Sequence, residues 1–130
     1  MSGLPGRHKL LYLDDEYVNL FLFEELFKSQ FDVLTTSSVE EALKILKDPS
    51  KGIEIVITDL KMHPVNGMTF IIRARDEGIS IPICVLSAFP KTPEIENGIS
   101  SGIVSGFFNK PLDVDFIQLE AERLINQHKV

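Results

Sequence analysis

The sequence predicts an α/β fold built on one doubly wound, five-stranded parallel sheet. Five short apolar runs alternate with five segments of helical character, and the connections between them are short. The run Ile55-Val56-Ile57 shows no alternation of apolar and polar residues, which is typical of a strand buried on both faces. Right-handed crossovers between parallel strands then place helices on both faces of the sheet.

Size and charge limit the class of protein. With 130 residues, the chain is expected to form one domain with a sizeable core. A net charge of -6, without any run of Lys or Arg, argues against nucleic acid or an acidic membrane surface as a direct partner.

The sequence also indicates the compartment. No apolar stretch approaches the roughly 20 residues of a membrane-spanning helix, and the polar N-terminus lacks a signal-peptide core. The single cysteine, Cys84, lies inside an apolar run and is expected to be a buried thiol in a reducing compartment. We therefore expect a cytoplasmic protein.

Glycine, proline and small polar residues mark the expected boundaries of the strands and helices. Residues 1–8 are expected to form a flexible N-terminal tail, and residues 9–128 the domain. The predicted strands cover residues 9–13, 32–36, 54–59, 82–86 and 103–108. The predicted helices cover residues 17–29, 38–47 and 67–78, a short segment after Thr92, and a last segment after Asp113.

Three helix starts carry capping signals. Ser38 and Glu41 form a capping-box pattern, Thr92 precedes Pro93, and Asp113 precedes the last helix. The fourth helix is soon interrupted by glycine and serine residues, beginning at Gly98. It is expected to be the least stable of the five.

Polar side chains follow the strands at the points where they end. Asp14 and Asp15 follow the first strand, Asp59 ends the third, Ser87 the fourth, and Lys110 follows the fifth. Because the carboxyl ends of parallel strands meet at one edge of the sheet, we expect these groups to share a site. Three carboxylates in one place repel one another, and a lysine with a hard divalent ion such as Mg²⁺ compensates that repulsion.

In order and spacing, these residues resemble the receiver domains of response regulators in two-component signalling. The matching residues are Asp14-Asp15, Asp59, Ser87-Ala88 and Lys110-Pro111, and the resemblance extends from about residue 9 to residue 128. It implies a flavodoxin-like (βα)5 three-layer sandwich.

The resemblance also implies a function. Asp59 would accept a phosphoryl group from a sensor histidine kinase or a histidine phosphotransfer protein, and lose it again by hydrolysis. Asp59 with Asp14 or Asp15 would hold Mg²⁺, and the backbone carbonyl of Lys61 would be a further ligand. Lys110 would neutralise phosphoryl charge. On this reading the protein is a phosphoacceptor and not an enzyme acting on a separate substrate.

A conformational switch is implied as well. The Ser87 hydroxyl would donate to a phosphoryl oxygen and draw its loop inward, and Phe107 would follow into the vacated space. This movement would alter the face formed by the fourth helix, the fifth strand and the fifth helix, which would contact an output domain or a downstream protein.

Several positions depart from the common receiver pattern. His63 occupies the place where many receivers have proline, and Pro64 follows it, so we expect an altered loop with an intact acceptor. Phe107 lacks the hydroxyl that a tyrosine would use. Phe89, two residues after Ser87, is expected to slow hydrolysis by shielding the phosphoryl group from water.

The first helix carries more apolar residues than one buried face needs. Val18, Leu22 and Leu26 recur at a spacing of four and are predicted to form the core stripe. A second stripe is then left over, and it is either also buried or a docking patch for a helical phosphodonor. Its residues are Leu20, Phe23 and Phe27.

Other functions remain open from the residues alone. A degenerate receiver would serve as a phosphorylation-independent scaffold, which the complete acidic set disfavours. A haloacid-dehalogenase-type phosphatase would need Asp-x-Asp after an early strand, where this chain has Asp14-Asp15-Glu16. A flavin-binding module would need a phosphate-cradling loop there instead of acids. The chain is expected to be either a free regulator or the input module of a longer protein.

Overall fold

Five parallel strands form a single sheet in the computed structural model, which describes residues 6–129. The strands are β1 (His8–Leu13), β2 (Phe31–Thr36), β3 (Ile55–Asp59), β4 (Ile83–Ser87) and β5 (Gly106–Asn109). Their order in the sheet is β2-β1-β3-β4-β5, and every neighbouring pair is parallel. The predicted doubly wound fold is confirmed.

Five helices complete the three layers. They are α1 (Tyr17–Phe27), α2 (Val39–Lys47), α3 (Gly67–Asp76), α4 (Pro93–Ser100) and α5 (Val114–His128). Alternate residues of β1 point to opposite faces, as the period of a strand requires. Leu10 and Tyr12 belong to the apolar core shared with α1 and α5, whereas Leu11 and Leu13 belong to the core beneath α2, α3 and α4. Over residues 6–129, each helix is too short or too polar to cross a bilayer.

Side-chain caps begin four of the helices. The predicted caps at Ser38, Thr92 and Asp113 are confirmed, and Asn66 is a fourth. In the second half of a capping box, the Glu41 carboxylate would accept a hydrogen bond from the Ser38 backbone N–H. In the structure it accepts one from the Thr36 hydroxyl instead. Glu41 thereby ties α2 to the end of β2.

Several boundaries differ from the sequence prediction. His8 belongs to β1 and pairs with Phe31, so the strand begins inside the stretch predicted as tail, while residues 1–5 of that stretch lie outside the described residues. The helix α4 ends at Ser100, within the predicted Gly98–Gly102 interruption, but Gly98 itself is helical and does not break it. A Cβ at position 98 would lie 2.8 Å from Val104 Cγ2, so glycine allows close packing there.

The buried face of α1 is the reverse of the predicted one. Leu20, Phe23 and Phe27 are 7%, 0% and 0% exposed and form the core face. The predicted core stripe is on the surface, with Val18 67% exposed and Leu22 48% exposed. Spacings of three and of four residues both keep side chains on one side of a helix, so the spacing alone does not choose between the two stripes. The stripe that contains the aromatic residues is buried because Phe23 stacks on Tyr12, which faces α1 from the sheet, and Phe27 stacks in turn on Phe23.

Candidate functional site

Three carboxylates meet at the carboxyl edge of the sheet. Asp14 and Asp15 follow β1, and Asp59 is the last residue of the neighbouring β3. Because Leu13 pairs with Thr58, Asp14 and Asp59 lie at the same level of the sheet. One oxygen from each carboxylate lies within 4.8 Å of the others. Asp14 is 0% exposed and Asp59 is 7% exposed. The structure thus brings together the three acids that the sequence singles out.

This environment makes Asp59 a weaker acid than usual. Burial, the largest cause, and the negative charge of Asp14 raise the pKa of Asp59 to about 6. Lys110 acts in the opposite direction from a distance of 3.8 Å between its Nζ and Asp59 Oδ1. One lysine therefore compensates the acid cluster only in part.

The partly compensated cluster fits a hard divalent cation. Carboxylate oxygens are the ligands that Mg²⁺ prefers, and the raised pKa of Asp59 marks a place where additional positive charge is favourable. Asp14, Asp15 and Asp59 are the residues that would hold the ion. The predicted role of the Lys61 carbonyl stays a prediction, because the described contact of Lys61 is made by its side chain.

Asp14 is fixed by hydrogen bonds to both oxygens. The Tyr12 hydroxyl donates to Oδ2 at 2.7 Å, and the backbone N–H of Glu16 donates to Oδ1 at 3.0 Å. The backbone N–H of Asp14 donates to the Thr36 carbonyl at 3.2 Å. Tyr12 is not among the site residues predicted from the sequence. Its only signal there is a hydroxyl-bearing residue two positions before an acid, on the same face of the strand.

The loop after β3 is anchored to the acid pair and to α3. The backbone N–H of His63 donates to Asp15 Oδ2 at 3.1 Å, while His63 is itself exposed. Gly67 begins α3 so close to the acceptor that a Cβ there would lie 2.5 Å from the Asp59 carbonyl oxygen. Glycine is therefore required at the start of this helix.

Ser87 lies at the end of β4 and is 1% exposed. Its hydroxyl oxygen accepts from the Phe89 N–H at 3.0 Å, and its carbonyl accepts from the Lys110 N–H at 2.9 Å. The Asn109 side-chain amide donates to the carbonyls of Ser87 and Phe89, at 3.3 and 3.0 Å. Asn109, which the sequence analysis did not select, thus clamps the loop that carries Ser87.

Two aromatic rings beside the site contact lysines. The Lys61 Nζ lies 5.0 Å from the ring centroid of Phe89, which joins the loop after β3 to the loop after β4. The Lys91 Nζ lies 5.7 Å from the ring centroid of Phe107. Phe107 is partly buried against the core beneath α2, α3 and α4, whereas Phe89 is 53% exposed. These are cation–π distances.

The predicted docking patch of Leu20, Phe23 and Phe27 is wrong as a surface, because all three residues are buried. The exposed apolar stripe of α1 is the one made by Val18, Leu22 and Leu26. Next to it is a cleft of about 180 Å³, lined by residues of α1, the sheet and the loop after β5. The lining residues are Tyr12, Asn19, Leu22, Leu86, Lys110, Pro111 and Leu112.

Curated relatives match nearly the whole chain. The transcriptional regulatory protein GlrR of Escherichia coli (strain K12) is 28% identical over 127 residues, which is 98% of this chain and 28% of that protein. The two-component response regulator ORR24 of Oryza sativa subsp. indica is 29% identical over 97% of this chain and 19% of that protein. The chain thus spans less than a third of the length of these relatives.

Solved structures and a family model point to one family. A response regulator receiver domain protein from Clostridium thermocellum superposes with a TM-score of 0.79 at 26% identity, covering 94% of this chain and 97% of that one. A response regulator receiver protein from Pseudomonas putida gives 0.78 at 28% identity, covering 92% and 99%. The model of the response regulator receiver domain matches residues 10–122. With its acid cluster at the expected edge of the sheet, the chain belongs to the response regulator receiver domain family of two-component systems.

Proposed function

We propose that Asp59 is the phosphoryl acceptor of a Mg²⁺-dependent conformational switch. The observation that carries this proposal is the position of its carboxylate, within 4.8 Å of Asp14 and Asp15 oxygens and 3.8 Å from the Lys110 ammonium. A carboxylate held among like charges opposite one cation suits a nucleophile whose product carries more negative charge. Asp14 and Asp15 join Asp59 in holding the ion.

The transfer exchanges one bond to phosphorus for another. An Asp59 oxygen attacks the phosphorus of a phosphohistidine on a sensor kinase or phosphotransfer protein; the O–P bond forms, the N–P bond breaks, and the imidazole leaves with the electron pair. Bound Mg²⁺ supplies charge neutralisation, and Lys110 faces the equatorial oxygens. Hydrolysis of the acyl phosphate by water resets the protein, which acts on no separate substrate. The reaction takes place in the cytoplasm.

Ser87 and Phe107 connect the acceptor to the output face. The Ser87 oxygen accepts from the Phe89 N–H, which leaves its hydroxyl proton for a phosphoryl oxygen. Movement of this loop opens space for the Phe107 ring, which lies on the neighbouring strand β5. The α4–β5–α5 face then changes shape, and exposed Phe116 and Leu119 on α5 offer apolar contacts to an output domain or downstream protein.

Intact mass spectrometry tests the acceptor. The protein is incubated with Mg²⁺ and phosphoramidate, and we expect one phosphoryl adduct that is lost when EDTA replaces Mg²⁺. Asp59→Asn removes the adduct, while Asp76→Asn, a change of an exposed acid at the end of α3, keeps it. An adduct on Asp59→Asn, or none on the unaltered protein, overturns the proposal.

The exposed stripe of α1 is the proposed donor-docking patch, defined as Val18, Leu22 and Leu26. Leu22 lines the same cleft as Lys110, so a helix seated on this patch lies beside the acceptor. The occupant is a helical histidine phosphodonor, because the patch is continuous with the site that receives its phosphoryl group. Burial of exposed Val18 and Leu22 favours such a complex.

Two donors separate docking from chemistry. We expect Leu22→Glu to slow transfer from a phosphorylated histidine phosphotransfer protein by tenfold or more, and to leave phosphorylation by phosphoramidate unchanged. Ile72→Glu is the matched control, because Ile72 is also aliphatic and is 43% exposed but lies on α3, on the opposite face of the sheet from α1. Equal slowing by both variants, or with both donors, contradicts docking at this patch.

A further inference from the structure

Tyr12 places a polar group in an apolar core. It is 1% exposed on the central strand β1, in the same apolar cluster as Phe23 and Phe27. Its sheet neighbours are Thr35 on one side and Ile57 on the other. Phenylalanine would fill nearly the same volume without a hydroxyl to desolvate, so the hydroxyl requires a compensating partner. That partner is Asp14, 2.7 Å away.

The tyrosine ring is held in one orientation. It stacks on Phe23 with a centroid distance of 4.0 Å and an interplanar angle of 7°, and Phe23 stacks in turn on Phe27 at 4.4 Å. A ring clamped between the sheet and α1 has little rotational freedom. The hydroxyl is therefore presented at a fixed point beneath the acid cluster.

The two hydrogen bonds to Asp14 differ in kind. The bond from Glu16 is local, since it spans two residues and comes from the start of the same loop. The bond from Tyr12 comes from the rigid core and reaches the other carboxylate oxygen. Together they fix the plane of the carboxylate, and an oxygen of Asp14 lies within 4.8 Å of oxygens of Asp15 and Asp59.

We propose that Tyr12 is a positioning residue for the metal site: its hydroxyl holds the Asp14 carboxylate in the orientation that binds the divalent cation. The inference rests on the proposed binding of Mg²⁺ and adds a determinant of its affinity. Groups that orient a metal ligand through a hydrogen bond commonly change metal affinity by about 10- to 100-fold when they are removed. We expect about tenfold weaker binding for Tyr12→Phe, because Glu16 still holds one oxygen.

Tyr17→Phe is the matched control. The chain has two tyrosines, and Tyr17 is 79% exposed on α1. Tyr17→Phe therefore removes the same hydroxyl group, but from the surface and not from the core beneath Asp14. Mn²⁺ binding is followed by loss of the free-ion EPR signal, and Mg²⁺ by competition. Phosphoramidate labelling is then measured against Mg²⁺ concentration. For Tyr12→Phe we expect the midpoint to move to about tenfold higher Mg²⁺ with an unchanged maximal rate.

The outcomes distinguish this inference from the proposed function. Equal Mn²⁺ affinity of Tyr12→Phe and Tyr17→Phe, or a lower melting temperature without any shift of the Mg²⁺ midpoint, overturns the positioning role alone. Absence of Mn²⁺ and Mg²⁺ binding by the unaltered protein overturns both proposals.

A second measurement does not depend on the folding of Tyr12→Phe. The Tyr17→Phe protein labelled with 3-fluorotyrosine carries fluorine at position 12 alone. We expect its fluorine resonance to shift during a Mg²⁺ titration with the midpoint found by competition. A resonance that stays unchanged up to saturating Mg²⁺ overturns the inference.

Discussion

The carboxylates at the two ends of strand β3 have pKa values that are shifted in opposite directions. Glu54 precedes the strand at the amino edge of the sheet, and Asp59 ends it at the carboxyl edge. Their side chains are 23% and 10% exposed, so each is largely withdrawn from water. Nevertheless the pKa of Glu54 is lowered, whereas that of Asp59 is raised to about 6.

The difference lies in the partners. Burial is the largest influence on both groups and by itself raises each pKa. At Glu54 it is outweighed by Lys129, whose Nζ lies 2.7 Å away, by His8 at 3.1 Å and by the Lys9 N–H at 3.1 Å. Asp59 has Lys110 at 3.8 Å and two further acids beside it. The amino edge compensates the charge of Glu54 with groups of the protein, whereas the carboxyl edge compensates that of Asp59 only in part, through Lys110.

A cation at the amino edge, Arg75, likewise finds its hydrogen-bond partners within the protein. The Arg75 Nε donates to the Ile103 carbonyl at 3.0 Å, and its Nη1 donates to the carbonyls of Ile79 and Ile81 at 2.9 and 2.7 Å. Its guanidinium satisfies loop carbonyls that the strands leave unpaired. Charges at the amino edge therefore stabilise the fold, while those at the carboxyl edge, where the proposed phosphoryl acceptor lies, reduce its stability.

The largest effect on stability is expected for Arg75→Ala. It leaves three part-buried carbonyls without their donor, which costs about 2 to 4 kcal/mol in the free energy of unfolding. Arg73→Ala, which removes an exposed ion pair with Glu40, is the matched control and should have a much smaller effect. Urea unfolding measures both. A loss for Arg75→Ala no greater than for Arg73→Ala would contradict a structural role for the amino edge.

Asp59→Asn is expected to stabilise the metal-free protein. Because the folded-state pKa of Asp59 is raised, its favourable contribution is full below the unfolded pKa and disappears as the pH rises through about 6. Near pH 7.5 the ionised group therefore destabilises the fold, by about 1 to 2 kcal/mol after allowance for solvent screening. Thermal unfolding in EDTA measures the gain, which should shrink as the pH falls below 6. A destabilised Asp59→Asn would break the comparison.

Glu54→Gln is expected to act in the opposite direction. Its folded-state pKa is lowered, so its contribution is present above the ordinary value of 4.5 and is lost as the pH falls through the folded-state value. Near pH 7.5 the variant should lose about 1 kcal/mol, since the amide keeps part of the hydrogen bonding. The same unfolding experiment applies. A deficit that grows as the pH is lowered would refute the assignment.

The strand ends and caps were predictable because each depends on local signals. Asp14 directly follows an apolar run, and Asp59 and Lys110 each follow one after a single polar residue. The topology of a parallel sheet then brings the three residues together. Thr92 and Asp113 cap helices through hydrogen bonds that reach only three residues ahead. These features require no knowledge of tertiary packing beyond the order of the elements.

Contacts between distant residues were beyond the sequence. Leu22 and Phe23 are both apolar, and burial of Phe23 follows from its stack on Tyr12, a residue of another element. Likewise Asn109 reads as a turn residue, and its clamp on Phe89 spans twenty positions of chain. A helix that is apolar all round supplies no contrast from which its inner face can be read.

The smallest expected effect concerns the exposed rim of the carboxyl edge. The Phe89 ring is 53% exposed and contacts the Lys61 ammonium, so the pair bridges the two loops that flank Asp59. Removing the ring in Phe89→Ala should admit water and shorten the lifetime of the phosphorylated protein about threefold, equivalent to about 0.7 kcal/mol in the barrier. The lifetime is measured by loss of the phosphoryl adduct in excess Mg²⁺.

Phe89→Leu separates the two possible causes, because it retains apolar bulk without a π face. A lifetime near that of the unaltered protein assigns the effect to shielding from water. A lifetime near that of Phe89→Ala assigns it to the contact with Lys61. A longer or unchanged lifetime for Phe89→Ala would mean that this rim does not control water, and that the exposure of the acid cluster is set by the buried groups alone.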